Sequence, residues 1–225
     1  MSKSSTWRYY DVAVALFVAS LLTANIISVK LIEIGPIIVP AGVVIFPISY
    51  ILGDILTEVY GFRWARRAIW LGFLGNLVAV TAIWVAGLLP SPAFWQNQGA
   101  WDTILGFTPR LLLASFVAYL VGEFANSTVL AKMKVWTGGK YLWSRTISST
   151  LVGQGLDSLV FIVIAFGGLM APAVIMTTVL GQWLFKSAYE IIATPLTYFV
   201  VNRLKQAEGV DTFDVSTNMN PFSFE

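Results

Sequence analysis

Ionisable and amide side chains stand at regular intervals in stretches of this chain that are otherwise oil-like. Asp54 and Glu58 are four residues apart, Glu123 and Asn126 three apart, and Gln154 and Asp157 three apart; Gln182, Lys186 and Glu190 follow one another in steps of four. On an α-helix each of these spacings places its members on one face. Asn25 and Asn76 add isolated amides. A glycine stands just before the first polar residue of each cluster, at Gly53, Gly122, Gly153 and Gly181, where the missing side chain lets helices approach or the backbone bend beside a ligand. An ionised group at the centre of a bilayer costs at least about 2.5–3.5 kcal/mol, so such residues are expected to face a cavity or a partner. Asp54, Glu58, Glu123, Asp157 and Glu190 share these stretches with a single base, Lys186. That surplus must be protonated, hydrated or matched by something that arrives: a proton, a sodium ion or a ligand rich in N–H donors.

The elements that hold these residues follow from composition. Of 225 residues, 57% are hydrophobic and only 12% charged, half the charged share of an ordinary soluble domain, about 25%. Mean hydropathy is +0.75. Polar surface is too scarce to coat a globule in water, so the bilayer is the expected solvent. The chain has no cysteine and no histidine. That removes disulfides, thiolate nucleophiles, Cys/His zinc sites and serine–histidine triads. No metal site, cofactor or catalytic residue is expected, and a net charge of +2 gives no reason to expect a nucleic-acid partner.

Six stretches reach the roughly 20 apolar residues a transmembrane helix needs: about 10–29, 43–60, 68–89, 111–131, 146–166 and 173–201. The expected fold is an all-α membrane protein of six transmembrane helices over residues 10–205. A short cytoplasmic N-terminus (1–9) precedes it and a disordered, mildly acidic cytoplasmic tail (206–225) follows. Glu33 to Pro40 reads as a connector, and Pro47 and Gly53 suggest a kinked or interrupted second helix. No small-residue cleavage site follows the first apolar stretch, which reads as a retained anchor. With the N-terminus inside, Lys3, Arg8, Arg63, Arg66, Arg67, Lys132, Lys134, Lys140, Arg145, Arg203 and Lys205 fall on the cytoplasmic side. That is 11 of the 14 basic residues, an asymmetry that places both termini in the cytoplasm.

The halves echo each other. Phe17-Val-Ala with Ala24-Asn25 is matched by Phe116-Val-Ala with Ala125-Asn126, and Gly53-Asp54 by Gly153 and Asp157. Three helices per copy is an odd number, so the second copy would be inverted, as in secondary transporters whose site lies near the midplane. Plainer readings stand beside the functional one. Asn25, Asn76 and Asn126 can glue helices together, Lys186 and Glu190 can pair within one helix, and Glu58 can reach headgroups. Trp7, Tyr9, Tyr10, Trp64, Trp136, Tyr141 and Trp143 read as interfacial anchors. Tyr119, Trp183 and Tyr189, beside the polar stripes, can stack on a planar ligand or simply pack.

Gly-Asp-Ile-Leu-Thr-Glu (53–58), Tyr60-Gly61 and Ala65-Arg66-Arg67 resemble the queuosine precursor transporter family, also classed with vitamin uptake transporters. The stretches Ala114-Ser115-Phe116 to Gly122-Glu123, Gly153 to Asp157-Ser158 and Gly181 to Lys186 follow in the same order. The resemblance implies import of 7-deazaguanine bases, such as the 7-cyano and 7-aminomethyl forms, across the bacterial inner membrane. It makes the partners a small planar nucleobase-like substrate and the lipid bilayer, and admits a homodimer. A deazaguanine offers adjacent N1–H and amino donors that a carboxylate can accept together. On this reading Asp54, Glu58, Glu123, Asp157 and Glu190 are the substrate-binding acids. Asn25, Asn126, Gln154 and Gln182 are their hydrogen-bonding companions, and Lys186 balances the acids or meets the ring carbonyl.

Other readings fit parts of the same pattern. Substrate-capture subunits of energy-coupling-factor vitamin importers have similar size and dock a partner through small residues of the first helix, which Ala15-x-x-x-Ala19 matches loosely. An intramembrane aspartyl protease would use Asp54 and Asp157, although its Gly-x-Gly-Asp pattern reads Ile51-Leu-Gly-Asp54 here. A structural protein with no substrate would tolerate neutral replacements inside the spans.

Overall fold

The computed structural model describes residues 7–34, 37–106 and 109–223. Its order is α1 (Tyr10–Ile27), a hairpin of β1 (Leu31–Ile34) and β2 (Ile37–Pro40), a 3-10 turn (Ala41–Val44), α2 (Phe46–Tyr60) and α3 (Phe62–Leu88). Then come α4 (Gln98–Leu105), α5 (Pro109–Trp136), α6 (Leu142–Phe166) and α7 (Pro172–Glu208). The protein is thus all-helical apart from one hairpin, with six main helices and the short α4. By length and composition α1, α3, α5 and α6 are each able to cross a membrane. The two main helices outside that group, α2 and α7, carry Asp54, Glu58, Lys186 and Glu190; α2 has only 15 residues, and polar side chains interrupt α7.

Several boundaries differ from the sequence reading for local reasons. The connector at Glu33 is a two-stranded antiparallel hairpin with Ile32 opposite Val39 and Glu33 opposite Ile38; its residues 35 and 36 lie outside the described segments. Pro47 does not kink the second helix but sits in its first turn, where a missing N–H costs nothing. Gly53 lies within the unbroken α2. α7 runs 37 residues, about 55 Å at 1.5 Å per residue, and so overshoots a bilayer core. Pro195 lies inside it and removes one rung of its hydrogen-bond ladder.

The start of the described chain and the end of α7 meet at one end of the bundle. The backbone N–H groups of Arg8 and Tyr9 donate to the Glu208 carboxylate at 3.0 and 2.6 Å, and the Tyr60 hydroxyl donates to it at 3.0 Å. Trp7, Tyr10, Tyr60 and Trp64 form an edge-to-face cluster there, with centroids 5.0–6.5 Å apart. Trp136, Tyr141 and Trp143 remain exposed, as interfacial anchors should.

The disordered tail expected from Gln206 is not what the structure has. Residues 206–208 complete α7, and the segment up to 223 folds back over the start of α3. Asp214 accepts the Phe62 N–H at 2.9 Å, Arg66 donates to the carbonyls of Asn218 and Asn220, and the Trp70 indole N–H donates to that of Pro221. Phe222 packs on Trp70. Composition missed this because the segment folds against tertiary partners. Gly61 makes the corner between α2 and α3 with φ +85°, a conformation open to glycine. A Cβ there would lie 2.7 Å from Thr212 of the returning segment.

Candidate functional site

The site begins with a close crossing of α5 and α6. A Cβ added at Gly122 would lie 2.8 Å from the Asp157 Cβ and 3.1 Å from the Gly153 carbonyl. One at Gly153 would lie 2.8 Å from the Asn126 Cβ and 3.0 Å from the Gly122 carbonyl. The two bare backbones therefore touch, and the polar residues beside them are carried into one interior layer. Gly53 has a related task, since a Cβ there would meet Glu123 Oε2 at 3.2 Å. Gly181 departs from the pattern, with nothing near its missing side chain.

Within that layer Asp54, Glu123, Asn126, Gln154, Asp157 and Glu190 are all buried. Asn126 donates to Asp54 at 2.8 Å, joining α5 to α2. Gln154 donates to Glu190 across 3.4 Å, joining α6 to α7. Lys186 pairs with Asp157 at 2.5 Å rather than with its own-helix neighbour Glu190. The two aspartates thus have separate partners and do not form a protease-like dyad. Four acceptor atoms in this layer have no hydrogen-bond partner: Glu123 Oε2 and Glu190 Oε1, on residues 2% and 7% exposed, and the carbonyl oxygens of Asn126 and Gln154, on residues 0% and 1% exposed. The Gln182 carbonyl oxygen is likewise without one. Buried acceptors left unmade are costly, and each of these would be satisfied by an N–H donor.

Sequence reasoning missed Tyr50. It is buried one turn before Asp54, in contact with Gln154, and feels the charges of Glu123, Asp157 and Glu190. The Tyr50–Asp54–Glu58 spacing of four and four carried the signal. The aromatics singled out instead turn elsewhere. Tyr119 donates to the Ile69 carbonyl, Trp183 donates to that of Leu151, and Tyr189 is exposed. Asn25 donates to Asn76 at 2.6 Å, linking α1 and α3, which matches the helix-gluing reading.

Glu58 belongs to a different environment. Its Oε1 accepts from Arg145 and Lys205 at 2.7 Å each, with Lys134 at 3.5 Å, while Lys134 and Lys205 also hold Asp211 at 2.6 and 2.8 Å. Glu58, Lys134 and Arg145 are buried. This cluster ties α2, α5, α6 and α7 to the returning C-terminal segment. An open apolar trough of about 700 Å³ runs along α3 from Leu77 to Leu89; it lies away from the acids, and only Thr81 adds polarity.

Residues 40–200 match the family described as "Putative vitamin uptake transporter". The chain is 32% identical over 177 residues to the probable queuosine precursor transporter of Bacillus subtilis, covering 78% of this chain and 77% of that protein. It is 30% identical over 125 residues to the queuosine precursor transporter of Escherichia coli (56% of this chain, 54% of the relative). Against the probable one of Haemophilus influenzae it is 29% identical over 128 residues (56% and 51%). The chain thus spans about half the length of the last two relatives. No solved structure matches it. These are transporters and not enzymes, and with apolar helices able to span a bilayer the chain is a multi-pass membrane protein. By the match over most of its length, it belongs to the queuosine precursor transporter family.

Proposed function

We propose that this protein imports 7-deazaguanine bases, the queuosine precursors, across the bacterial inner membrane. Its six main helices all cross, as two inverted three-helix repeats, with both termini in the cytoplasm. The meeting of the segment before α1 with the end of α7 at Glu208 supports an even number of crossings, and the basic residues gathered at that end support its cytoplasmic placement.

The observation that carries the substrate reading is the Asp54–Asn126 pair. Asn126 spends its amide N–H on Asp54 and presents a bare carbonyl oxygen, so the pair offers neighbouring acceptors inside a low-dielectric layer. A guanine-type edge supplies adjacent N1–H and amino donors to fill them, and such a match to a carboxylate is stronger than a neutral one. Asp157 with Lys186, and Gln154 with Glu190, lie further along the same layer; Gln182 completes the amides. Glu58 is assigned to holding the cytoplasmic end of the bundle, and Asn25 to joining α1 and α3.

The test is uptake of labelled 7-cyano-7-deazaguanine into proteoliposomes by the purified chain, with D54N and N126A at equal incorporation. Both variants are expected to lose at least tenfold, and guanine to compete better than adenine. Wild-type uptake by D54N sinks the reading.

A second reading keeps one supporting observation. Ala15 and Ala19 both face outward on α1, as a partner-docking helix of an energy-coupling-factor importer would require. Uptake by the chain alone, without ATPase subunits, excludes it.

A further inference from the structure

The interior layer contains four acids and one cation. Lys186 holds Asp157, Asp54 has the Asn126 amide and Glu190 the Gln154 amide. Glu190 Oε1 and Glu123 Oε2 both receive no hydrogen bond, but Glu123 stands apart because, among the described residues, neither an amide nor a cation is seen paired with its carboxylate, whose Oε2 lies against the bare backbone at Gly53 with the Phe17 ring beside it. The groups facing it can be named element by element. α2 offers Tyr50 and Asp54, α6 offers Asp157, and α7 offers Glu190 and the paired Lys186. α1 and α3 meet this side with Phe17 and Gly72, and on α5 itself Tyr119 gives its hydroxyl to Ile69. None of these brings a spare positive charge.

Among the described residues no three acids converge as metal ligands. A sodium site of the kind transporters build would draw on unwound backbone carbonyls. Here α2, α5 and α6 run unbroken past Glu123, with their carbonyls engaged in their own ladders. The cation that fits is the smallest one.

We propose that Glu123 is a proton-binding site that couples import to an inward proton gradient. This rests on the deazaguanine reading above and deepens it. Coupling arises from like charges in one layer: the carboxylates of Glu123 and Glu190 act on Asp54. Once Glu123 takes a proton, one of the negative charges opposing the Asp54 carboxylate is gone, which favours its acceptance of the substrate's N–H donors. Proton and substrate therefore bind cooperatively and cross together. The proton joins Glu123 from the outside and leaves it on the cytoplasmic side, and no other bond is made or broken.

The experiment uses full-length chain in proteoliposomes with labelled 7-cyano-7-deazaguanine and a pH-sensitive dye. With one proton per substrate, an acid-outside gradient of one pH unit is expected to drive about tenfold accumulation, and adding substrate should alkalinise the outside. E123Q is expected to abolish both accumulation and proton movement and to make probe binding, read by thermal shift, independent of pH. E123D should restore proton movement. Wild-type uptake indifferent to the pH gradient, or driven by sodium instead, overturns the coupling while leaving the substrate reading intact. No wild-type uptake under any gradient overturns the substrate reading and this one with it. Gradient-driven accumulation retained by E123Q moves the proton off Glu123 and overturns the assignment.

Discussion

Asp54 and Glu58 are one turn apart on α2, equally buried, and live in opposite electrostatic worlds. Glu58 is crowded by Arg145, Lys205 and Lys134. Asp54 has one amide and the charges of other acids. The first arrangement is balanced in charge without a ligand, although Glu58 Oε2 and Arg145 Nε have no hydrogen-bond partner, and fixes four helices at one end of the bundle. The second is incomplete, and incompleteness in a buried polar layer is what a binding site requires. Both are buried carboxylates; the count of nearby cations separates the fastener from the acid proposed to bind substrate.

The sharpest way to break this contrast is to neutralise each acid in turn. E58Q leaves buried Arg145 and Lys134 short of their anion and is expected to cost about 3–5 kcal/mol of stability, seen as a large fall in melting temperature in detergent. D54N should keep the melting temperature within a few degrees while removing uptake, because it relieves repulsion at a place where no cation is stranded. Equal melting losses for the two would erase the distinction.

The Asp157–Lys186 pair is a middle case, complete in charge yet inside the interior polar layer. D157N or K186M alone should destabilise by roughly 3 kcal/mol, and the double replacement should recover most of it. Additive losses in the double mutant would mean that the two groups do not pair. Next in size, G153A must push α6 from α5, since its Cβ would press on Asn126 and the Gly122 carbonyl. A loss of about 1–3 kcal/mol together with uptake is expected, and thermal melting beside transport assays measures both.

The smallest effect concerns Asp211, half-exposed at the saturated end. Partial burial alone would raise its carboxyl, but hydrogen bonds from Lys134 and Lys205 outweigh that and hold it below the ordinary value. A depressed carboxyl contributes stability above its unfolded value of 3.8, and that contribution disappears as pH falls through the folded value. Exposure and salt keep it modest. Melting curves of D211N and wild type should differ slightly near neutrality and converge in acid.

Much of the scaffold was legible. The six apolar stretches mark the six main helices, because about 20 apolar residues have few other uses. What depends on partners far along the chain was not. Glu58 reads as a headgroup contact or a substrate acid until Arg145 and Lys205, 87 and 147 residues away, arrive beside it. Gly122 and Gly153 look like Gly181 in sequence, yet only the first two face one another. Asn25 and Asn126 fall on equivalent positions of the repeat pattern, but one joins a second amide and the other a carboxylate. Pairing breaks the symmetry that spacing suggests. The strand hairpin and α4 carried too little periodicity to separate from connectors.

From Asn218 to Pro221 the returning C-terminal segment is gripped by its main chain. Arg66 and Trp70 hold the carbonyls of Asn218, Asn220 and Pro221, groups that every amino acid supplies. Rewriting the side chains along this belt other than Asp211, Asp214 and Phe222, which make contacts of their own, therefore leaves these main-chain holds in place, provided its length and its turns are kept. Deleting a single residue would shift every carbonyl out of reach of the two side chains that hold it.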